Sequence, residues 1–457
     1  MSLSNTPSLE ELDRKHLLHP QTSLRAHQSG DPRIFESAGG VYVYDQHGRK
    51  VIDGVAGLWC VNIGYGREEL ANAMAQQSAK LAYYHSFTGA SNPPQIKLAE
   101  RLIAMTPEPL AKVFFGMGGS DANDTLVKIA WRYQIARGKP EKRKIIGRLQ
   151  GYHGTTAVAA SLTGLPAFHA QFGLPLDGFL HTACPHHYRF ARDDESETDF
   201  AARLGRELEE LILREDPDTI CAFIAEPVMG AGGVIAPPQG YFDIIQPILR
   251  KHDILFIVDE VICGFGRLGA MFGSEIYNLR PDMMAAAKGL TSGYFPMSAS
   301  IISDEIFDAI LADEEDGTTF AHGFTYGGHP VGAAVALANL DIIEREGLVA
   351  RSAETGAYFH EQLQTRLAGH PHIGEIRGLG LIAGVQLVED ADARKFFDPG
   401  HPSCVRAAAA TYEAGAVVRS LPALNTIALS PPLTISRPEV DALIDCLARG
   451  VDAAFAE

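Results

Sequence analysis

The chain has 457 residues, 46% of them hydrophobic, and a formal net charge of −17. That length supplies two or three domains with a large core, and the acidic balance excludes nucleic acid or an anionic membrane as the main partner, since both need a basic face. The six cysteines, at 60, 184, 221, 263, 404 and 446, show no CxxC and no paired spacing, which excludes a disulfide framework and a zinc cage and fits a reducing compartment. The charged N-terminus "MSLSNTPSLEELDRKHLLHP" is no secretory signal, and no apolar run reaches about 18 residues, so a cytoplasmic protein without a membrane span is expected.

In chain order, "GVYVYDQHGRKVIDG" predicts a strand pair with its turn at His47-Gly48. "AKVFFG" is a strand that ends at Gly116. A helix over 120–137 follows, with Leu126, Ile129, Ala130 and Tyr133 on one face and Gly138 and Pro140 to stop it. "KIIGR" covers 144–148, a helix over 202–214 places Leu204, Leu208, Leu211 and Ile212 together, and "TICAFIAE" covers 219–226. "YFDIIQPILRKH" carries Pro247 inside a helical pattern, which predicts a kink or a late start. "ILFIVDE" (254–260), "MMAAAKG" and "SASIIS" complete the series. Fully apolar runs separated by helices indicate an α/β fold with a mostly parallel central sheet covered on both faces.

Beyond "GHPVGAAVALANLDIIEREG", a long connecting helix, short strands mix with helices at about 354–368, 402–414 and 437–455. The expected organisation is an N-terminal segment (1–60) that packs with a small α+β C-terminal domain (331–457), and a large domain between them (61–330).

Lys288 is a single cation set among Met, Ala and Gly in "DMMAAAKGLTSGYFPMSAS". A buried ammonium without a partner is costly and tends to lose its proton or serve chemistry; a surface lysine before Gly289 is the bland alternative. "ILFIVDEV" ends in Asp259 and Glu260, at the strand end where open α/β sheets bind ligands. Alternation sends the two carboxylates to opposite sides, so at most one meets a given ligand. "FFGMGGSDANDTLVKIAWR" joins a strand to a helix through Gly116, Gly118 and Gly119, whose N–H groups can approach an anion; a plain turn capped by Ser120 fits the same residues. A phosphate cradle, an acid for a protonated ring nitrogen and an amine that forms an imine are the three needs of pyridoxal phosphate.

"VDEVICGFGR", "AAAKGL" and "FTYGGHP" together resemble the class III, or ω-, aminotransferases of the type I pyridoxal-phosphate fold, from about residue 30 to the C-terminus. "GLWCVNIGYG" and "GYHG" are similar to the branch that moves amino groups from β-alanine or simple amines to pyruvate. The resemblance implies catalytic roles for Lys288 and Asp259, phosphate contacts at Gly119 and Ser120, and Tyr152 and Val261 on the two ring faces. It further implies Glu226 near the cofactor and Thr325 reaching a neighbouring subunit's phosphate, hence a homodimer with shared sites. The implied substrate pocket holds Leu58, Trp59, Phe87, Tyr152, Ala231 and Arg419, the last a guanidinium that pairs with a substrate carboxylate. His322 and His329 lack a clustered third ligand and read as loop histidines, so no metal is expected.

The chain departs from the family's pattern at two places. After Arg419 the usual Gly-Asp is replaced by Leu421, Pro422, Ala423 and Leu424, and Ile262 stands where many relatives carry glutamine. The apolar loop suggests a mouth open to hydrophobic groups, the apolar pocket with its small Ala231 suggests acceptance of bulky or aryl-bearing primary amines, and Ile262 fits the amine–pyruvate branch. An aminomutase or a decarboxylating aminotransferase is the alternative within the fold. A nicotinamide enzyme is disfavoured because "GMGGSDAND" lacks the G-x-G-x-x-G spacing, and a non-catalytic scaffold has no use for the Asp259–Lys288 pair.

Overall fold

Valine and tyrosine alternate through strand β2 (Tyr42–Asp45), which lies between β1 (Phe35–Gly39) and β3 (Lys50–Asp53) in an antiparallel set. The computed structural model describes residues 7–315, 318–398 and 400–456.

The central sheet contains β4 (Leu110–Gly116), β5 (Lys144–Arg148), β6 (Phe179–Thr182), β7 (Ile220–Ala225), β8 (Leu255–Asp259), β9 (Met283–Ala286) and β10 (Ser298–Ser303). Their order is β4-β10-β9-β8-β7-β5-β6, and only β10 runs against the rest. The sheet is thus mostly parallel, as the apolar runs predict. β6 escaped the sequence pattern, because four residues, "FLHT", that are half polar carry no clear period.

Each inner strand splits its side chains between two layers. Ile145, Ile224 and Ile257 pack with Leu126, Ile129, Ala130 and Tyr133 of the helix Gly119–Ala136. Their neighbours Ile146, Phe223, Phe256 and Val258 pack on the other face with Phe200, Leu204 and Leu208 of the helix Glu197–Arg214 and with Phe242 and Ile245 of the helix Tyr241–Lys251. Each such fully buried side chain contributes about 1.5–3 kcal/mol. The helix Glu197–Arg214 starts earlier than its apolar stripe because Ser196 caps it, and the helix Tyr241–Lys251 begins well before Pro247, so the late start does not occur.

C-terminal to the helix Pro330–Arg345, β11 (Ile373–Leu379), β12 (Ile382–Leu387), β14 (Arg419–Leu421) and β15 (Thr426–Leu429) form an antiparallel sheet in the order β11-β12-β15-β14. The short β13 (Ala416–Val417) instead pairs in parallel with β3, Ala416 opposite Ile52. Residues near the two ends of the chain therefore share one sheet. Among the described residues no helix is long and apolar enough to cross a membrane.

Candidate active site

The parallel pairing of β8 with β9 sets Asp259 opposite Ala285, three residues before Lys288. Acid and amine thus lie at the C-terminal edge of adjacent strands. Lys288 takes a left-handed backbone (φ 48°) as β9 turns into the short helical turn Lys288–Leu290, a conformation that costs of order 1–3 kcal/mol in a non-glycine residue. Burial pulls the Lys288 amine below the ordinary lysine pKa, while the charges of Asp259, Cys60 and Glu226 oppose that pull.

Asp259 is 3% exposed and is fixed from three directions. Its Oδ2 accepts from His153 Nδ1 at 2.8 Å and from Asn123 Nδ2 at 2.9 Å, and its Oδ1 accepts from the Val261 N–H at 3.0 Å. Glu260 faces away, as alternation requires. It accepts from the N–H groups of Gly273 and Ser274 and from the Ser274 hydroxyl, and burial pushes its carboxyl up to about 7.

At the start of the helix Gly119–Ala136, the Asp121 carboxylate takes the N–H groups of Met117 and Gly118 at 2.7 and 2.9 Å. Among the described residues no acceptor takes the N–H of Gly119 or Ser120, which lie at the positive end of an 18-residue helix. Gly119 is required by packing: a Cβ there would lie 2.9 Å from Val261 Cγ1. Ser120 Oγ accepts from the Thr155 N–H at 3.1 Å and so ties this turn to the loop that carries Tyr152 and His153. The Glu226 carboxylate is a strut for that loop, accepting from the N–H groups of Tyr152 (3.0 Å) and Gly230 (2.8 Å).

Trp59 is presented by a turn in which Ala56, Gly57 and Trp59 all have positive φ. Asp53 holds that turn by accepting from the Val55 and Gly57 N–H groups and the Tyr65 hydroxyl. The Trp59 ring lies 5.8 Å from Lys288 Nζ and 5.0 Å from the Arg419 guanidinium carbon, so one aromatic side chain sits against both cations. Ala231, Ile262 and Leu421 join Trp59 in one apolar cluster. The altered segment after Arg419 folds as the β14–β15 hairpin, with Pro422 and Ala423 exposed at its tip and Leu424 buried against Cys184, Met229 and Ile235. Arg419 has no acidic partner among the described residues; its Nη2 donates to Gln21 Oε1 at 3.4 Å, and its buried Nε has no acceptor.

The Aminotransferase class-III family profile matches residues 25–451. The chain belongs to the class III aminotransferases. The ω-transaminase of Pseudomonas jessenii in complex with PMP superposes with a TM-score of 0.96 at 47% identity, covering 98% of both chains. A thermostable form of that protein, with a tryptophan, a phenylalanine and an arginine replaced, was engineered for asymmetric synthesis of enantiopure bulky amines and gives a TM-score of 0.95 at 47% identity, covering 98% of this chain and 99% of that one. The diaminobutyrate–2-oxoglutarate transaminase of Halomonas elongata is 45% identical over 97% of this chain and 96% of its own length. A chloroplastic gamma-aminobutyrate transaminase of Solanum lycopersicum is 46% identical over 91% of this chain and 79% of its own length. The cofactor of this aminotransferase is pyridoxal phosphate, and its substrates are an amine or amino acid and a keto acid.

Two residues singled out in the sequence lie in a separate group. Phe87 (46% exposed) and Thr325, also exposed, belong to a surface region where Tyr83 donates to the Thr325 carbonyl at 2.7 Å and Gly323 packs against the Phe87 ring. A hollow of about 330 Å³ lies there, lined by Phe87, Phe114, His322 and Phe324 among others. Among the described residues no hydrogen bond or ring contact joins Phe87 or Thr325 to Lys288 or Asp259. Leu58 is 48% exposed beside Trp59. His322 is engaged by Thr125 and Lys128, and His329 accepts from the Val331 N–H, so both serve the loop.

The aminotransferase also uses residues that the sequence reading passed over. His153 and Asn123 hold Asp259, and Gln21 meets Arg419. A signal existed for two of them: His153 lies beside Tyr152 in "GYHG", and Asn123 is a polar residue on the buried face that carries Ala122, Leu126 and Ile129.

Proposed function

We propose that this aminotransferase moves the amino group of a primary amine or ω-amino acid to pyruvate or a similar keto acid, and that it tolerates hydrophobic amines. Bound pyridoxal phosphate supplies an electron sink beside the reacting carbon. Lys288 would hold the cofactor, and its amine would move the proton at the substrate carbon. Asp259, fixed by His153, Asn123 and the Val261 N–H, would meet the ring nitrogen. The N–H groups of Gly119 and Ser120, without an acceptor among the described residues, would take the phosphate, Val261 and Tyr152 would flank the ring, and Glu226 positions the Tyr152 backbone.

The observation that carries the substrate class is the pair of cations on Trp59, 5.8 Å and 5.0 Å from its ring. Among the described residues Arg419 is a half-buried guanidinium without an anion, and a donor with a carboxylate a few carbons from its amine supplies one. A donor without a carboxylate lays its apolar tail against Trp59, Ala231, Ile262 and Leu421 instead. The engineered bulky-amine variant of the Pseudomonas jessenii protein, altered at a tryptophan, a phenylalanine and an arginine, supports a pocket of the Trp59, Phe87 and Arg419 kind. Because Phe87 and Thr325 sit in an exposed aromatic patch with Tyr84, Phe320 and Tyr326, we assign them to the site of a second copy, which makes the unit a homodimer with shared sites.

The name of the Halomonas elongata relative favours a second reading in which 2-oxoglutarate is the acceptor. Purified holoenzyme assayed with 4-aminobutyrate, 2,4-diaminobutyrate and 1-phenylethylamine, each against pyruvate and 2-oxoglutarate, separates the two. Alanine formed from all three donors, without carbon dioxide release, supports the proposal. Glutamate as the sole product overturns the acceptor, and carbon dioxide release overturns the reaction type.

A further inference from the structure

Ahead of the first sheet the chain runs through the helix Leu9–His16, a loop, and the helix Leu24–Ser29. Each of these three pieces contributes one side chain to a common point. Asp13 comes from the first helix, His19 from the loop and His27 from the second helix, and one ligand atom of each lies within 4.8 Å of the others. His19 Nε2 is 3.1 and 2.9 Å from the two Asp13 oxygens, and His27 Nε2 is 2.9 Å from Asp13 Oδ1. The rings approach with centroids 4.3 Å apart.

This cluster is not an exposed acidic patch. The His27 side chain is 9% exposed and that of Asp13 12%, with His19 at 33%. Among the described residues no lysine or arginine pairs with Asp13. A His19–Asp13 hydrogen bond accounts for one imidazole but not the other. The His27 Nε2 is buried, lies at hydrogen-bond distance from Asp13, and among the described residues makes no hydrogen bond because its direction is wrong. A nitrogen aimed beside a carboxylate oxygen, and not at it, is what two ligands of one ion present. With metal–ligand bonds of about 2.0–2.2 Å, neighbouring donor atoms of a first-row divalent ion stand about 3–3.5 Å apart.

We infer that Asp13, His19 and His27 form a three-ligand site for a divalent transition-metal ion, best matched by zinc. Two imidazoles and one carboxylate suit zinc, cobalt or nickel; calcium and magnesium take oxygen ligands and are poorly served here. The ion staples the two helices and the loop between them. That loop also carries Gln21, two residues after His19, to Arg419. Metal at this site therefore fixes the segment over the substrate mouth. The site is chemically separate from the amine–pyruvate reading and stands or falls without it.

The test uses metal-stripped holoenzyme, with its cofactor band intact, dialysed against zinc chloride at equilibrium and analysed for bound metal. Wild type takes up one ion per chain. His27→Ala and Asp13→Asn each lose that ion, while His16→Ala, which alters an exposed histidine of the same helix, keeps it. Limited proteolysis gives a second measurement that does not depend on the ligand variants folding well: zinc slows cleavage within residues 7–30 of wild type and leaves the rate in His27→Ala unchanged. No uptake by wild type, uptake undiminished in both ligand variants, or a cleavage rate indifferent to zinc overturns the site and leaves Asp13 and His19 as a hydrogen-bonded pair with His27 packed beside them.

Discussion

Gln21 and Arg419 meet across 398 positions of sequence, the guanidinium Nη2 donating to the amide oxygen at 3.4 Å. A neutral amide holds the arginine in place without satisfying its charge, so a substrate carboxylate displaces it readily. Gln21→Glu replaces that neutral partner with a resident anion. We predict that it raises KM for an ω-amino acid by about tenfold or more, the scale of one charge-assisted hydrogen bond, and changes KM for 1-phenylethylamine by less than about twofold. Steady-state kinetics on both donors checks this; equal shifts would mean Gln21 acts only on folding or cofactor retention.

The three donors around Asp259 define the next expectation. Asp259→Asn keeps the shape but removes the charge that keeps a ring nitrogen protonated. The rate of the amine half-reaction, followed by stopped-flow absorbance, should fall by about 10²–10⁴. His153→Leu should give a smaller loss, because Asn123 and the Val261 N–H still orient the carboxylate. Near-native rates in Asp259→Asn would remove this residue from its assigned role.

The contrast between Asp259 and its partners shows what a sequence conveys. The placement of Asp259 and Lys288 at one sheet edge was legible, because two apolar runs of strand length each ended in an ionisable residue and parallel neighbours end at one edge. The opposed facing of Asp259 and Glu260 followed from a period of two. His153 and Asn123 were not, because their bonds to Asp259 cross 106 and 136 positions and no periodicity encodes such a pairing. Gln21 lies outside the apolar patterns altogether. The division of Phe87 and Thr325 from Lys288 is a fact of tertiary placement that no local motif reveals.

Burial lowers the Lys288 pKa, and this fixes the sign of a pH effect in cofactor-free protein. In the window between that lowered value and the ordinary lysine value the unfolded chain binds the extra proton, so stability rises with pH there. Below the window both states are protonated, and the cost of the buried charge is present in full. Lys288→Met should therefore raise the Tm of cofactor-free protein at neutral pH, with the gain shrinking as pH approaches the window's upper end. The same variant should be inactive yet bind pyridoxal phosphate non-covalently. A thermal series across pH that showed no gain at pH 7 would contradict the buried-charge account.

Shared sites predict complementation. A Lys288→Ala chain lacks its own amine, and a Thr325→Glu chain sets a negative charge against its partner's phosphate. Each homodimer should be nearly inactive. Random mixing makes half of the dimers hybrid, each with one intact site, so about a quarter of wild-type activity should return. Recovery near zero on mixing unfolded and refolded chains, with dimers verified by size, would place Thr325 in its own chain's site, and a fully active Thr325→Glu homodimer would place it outside any site.

The substrate wall gives the last expectation. Ala231 is a half-buried residue in the turn that Glu226 holds through the Gly230 N–H, and its methyl group borders the cluster of Trp59, Ile262 and Leu421. That turn has little slack, since a Cβ at Gly232 would lie 1.8 Å from the Gln150 carbonyl oxygen. A larger side chain at 231 must therefore project into the space a substrate tail would fill, because the backbone cannot yield. Ala231→Leu adds three carbons, and overpacking of that size costs about 1–3 kcal/mol. Where the cost falls on substrate binding, kcat/KM for 1-phenylethylamine drops about 10–200-fold. For a short donor such as β-alanine the same variant should stay within about threefold, since the amine near Lys288 and the carboxylate near Arg419 do not reach this wall. The ratio of the two kcat/KM values is the measurement, and a ratio unchanged from wild type would move the bulky-amine pocket away from Ala231.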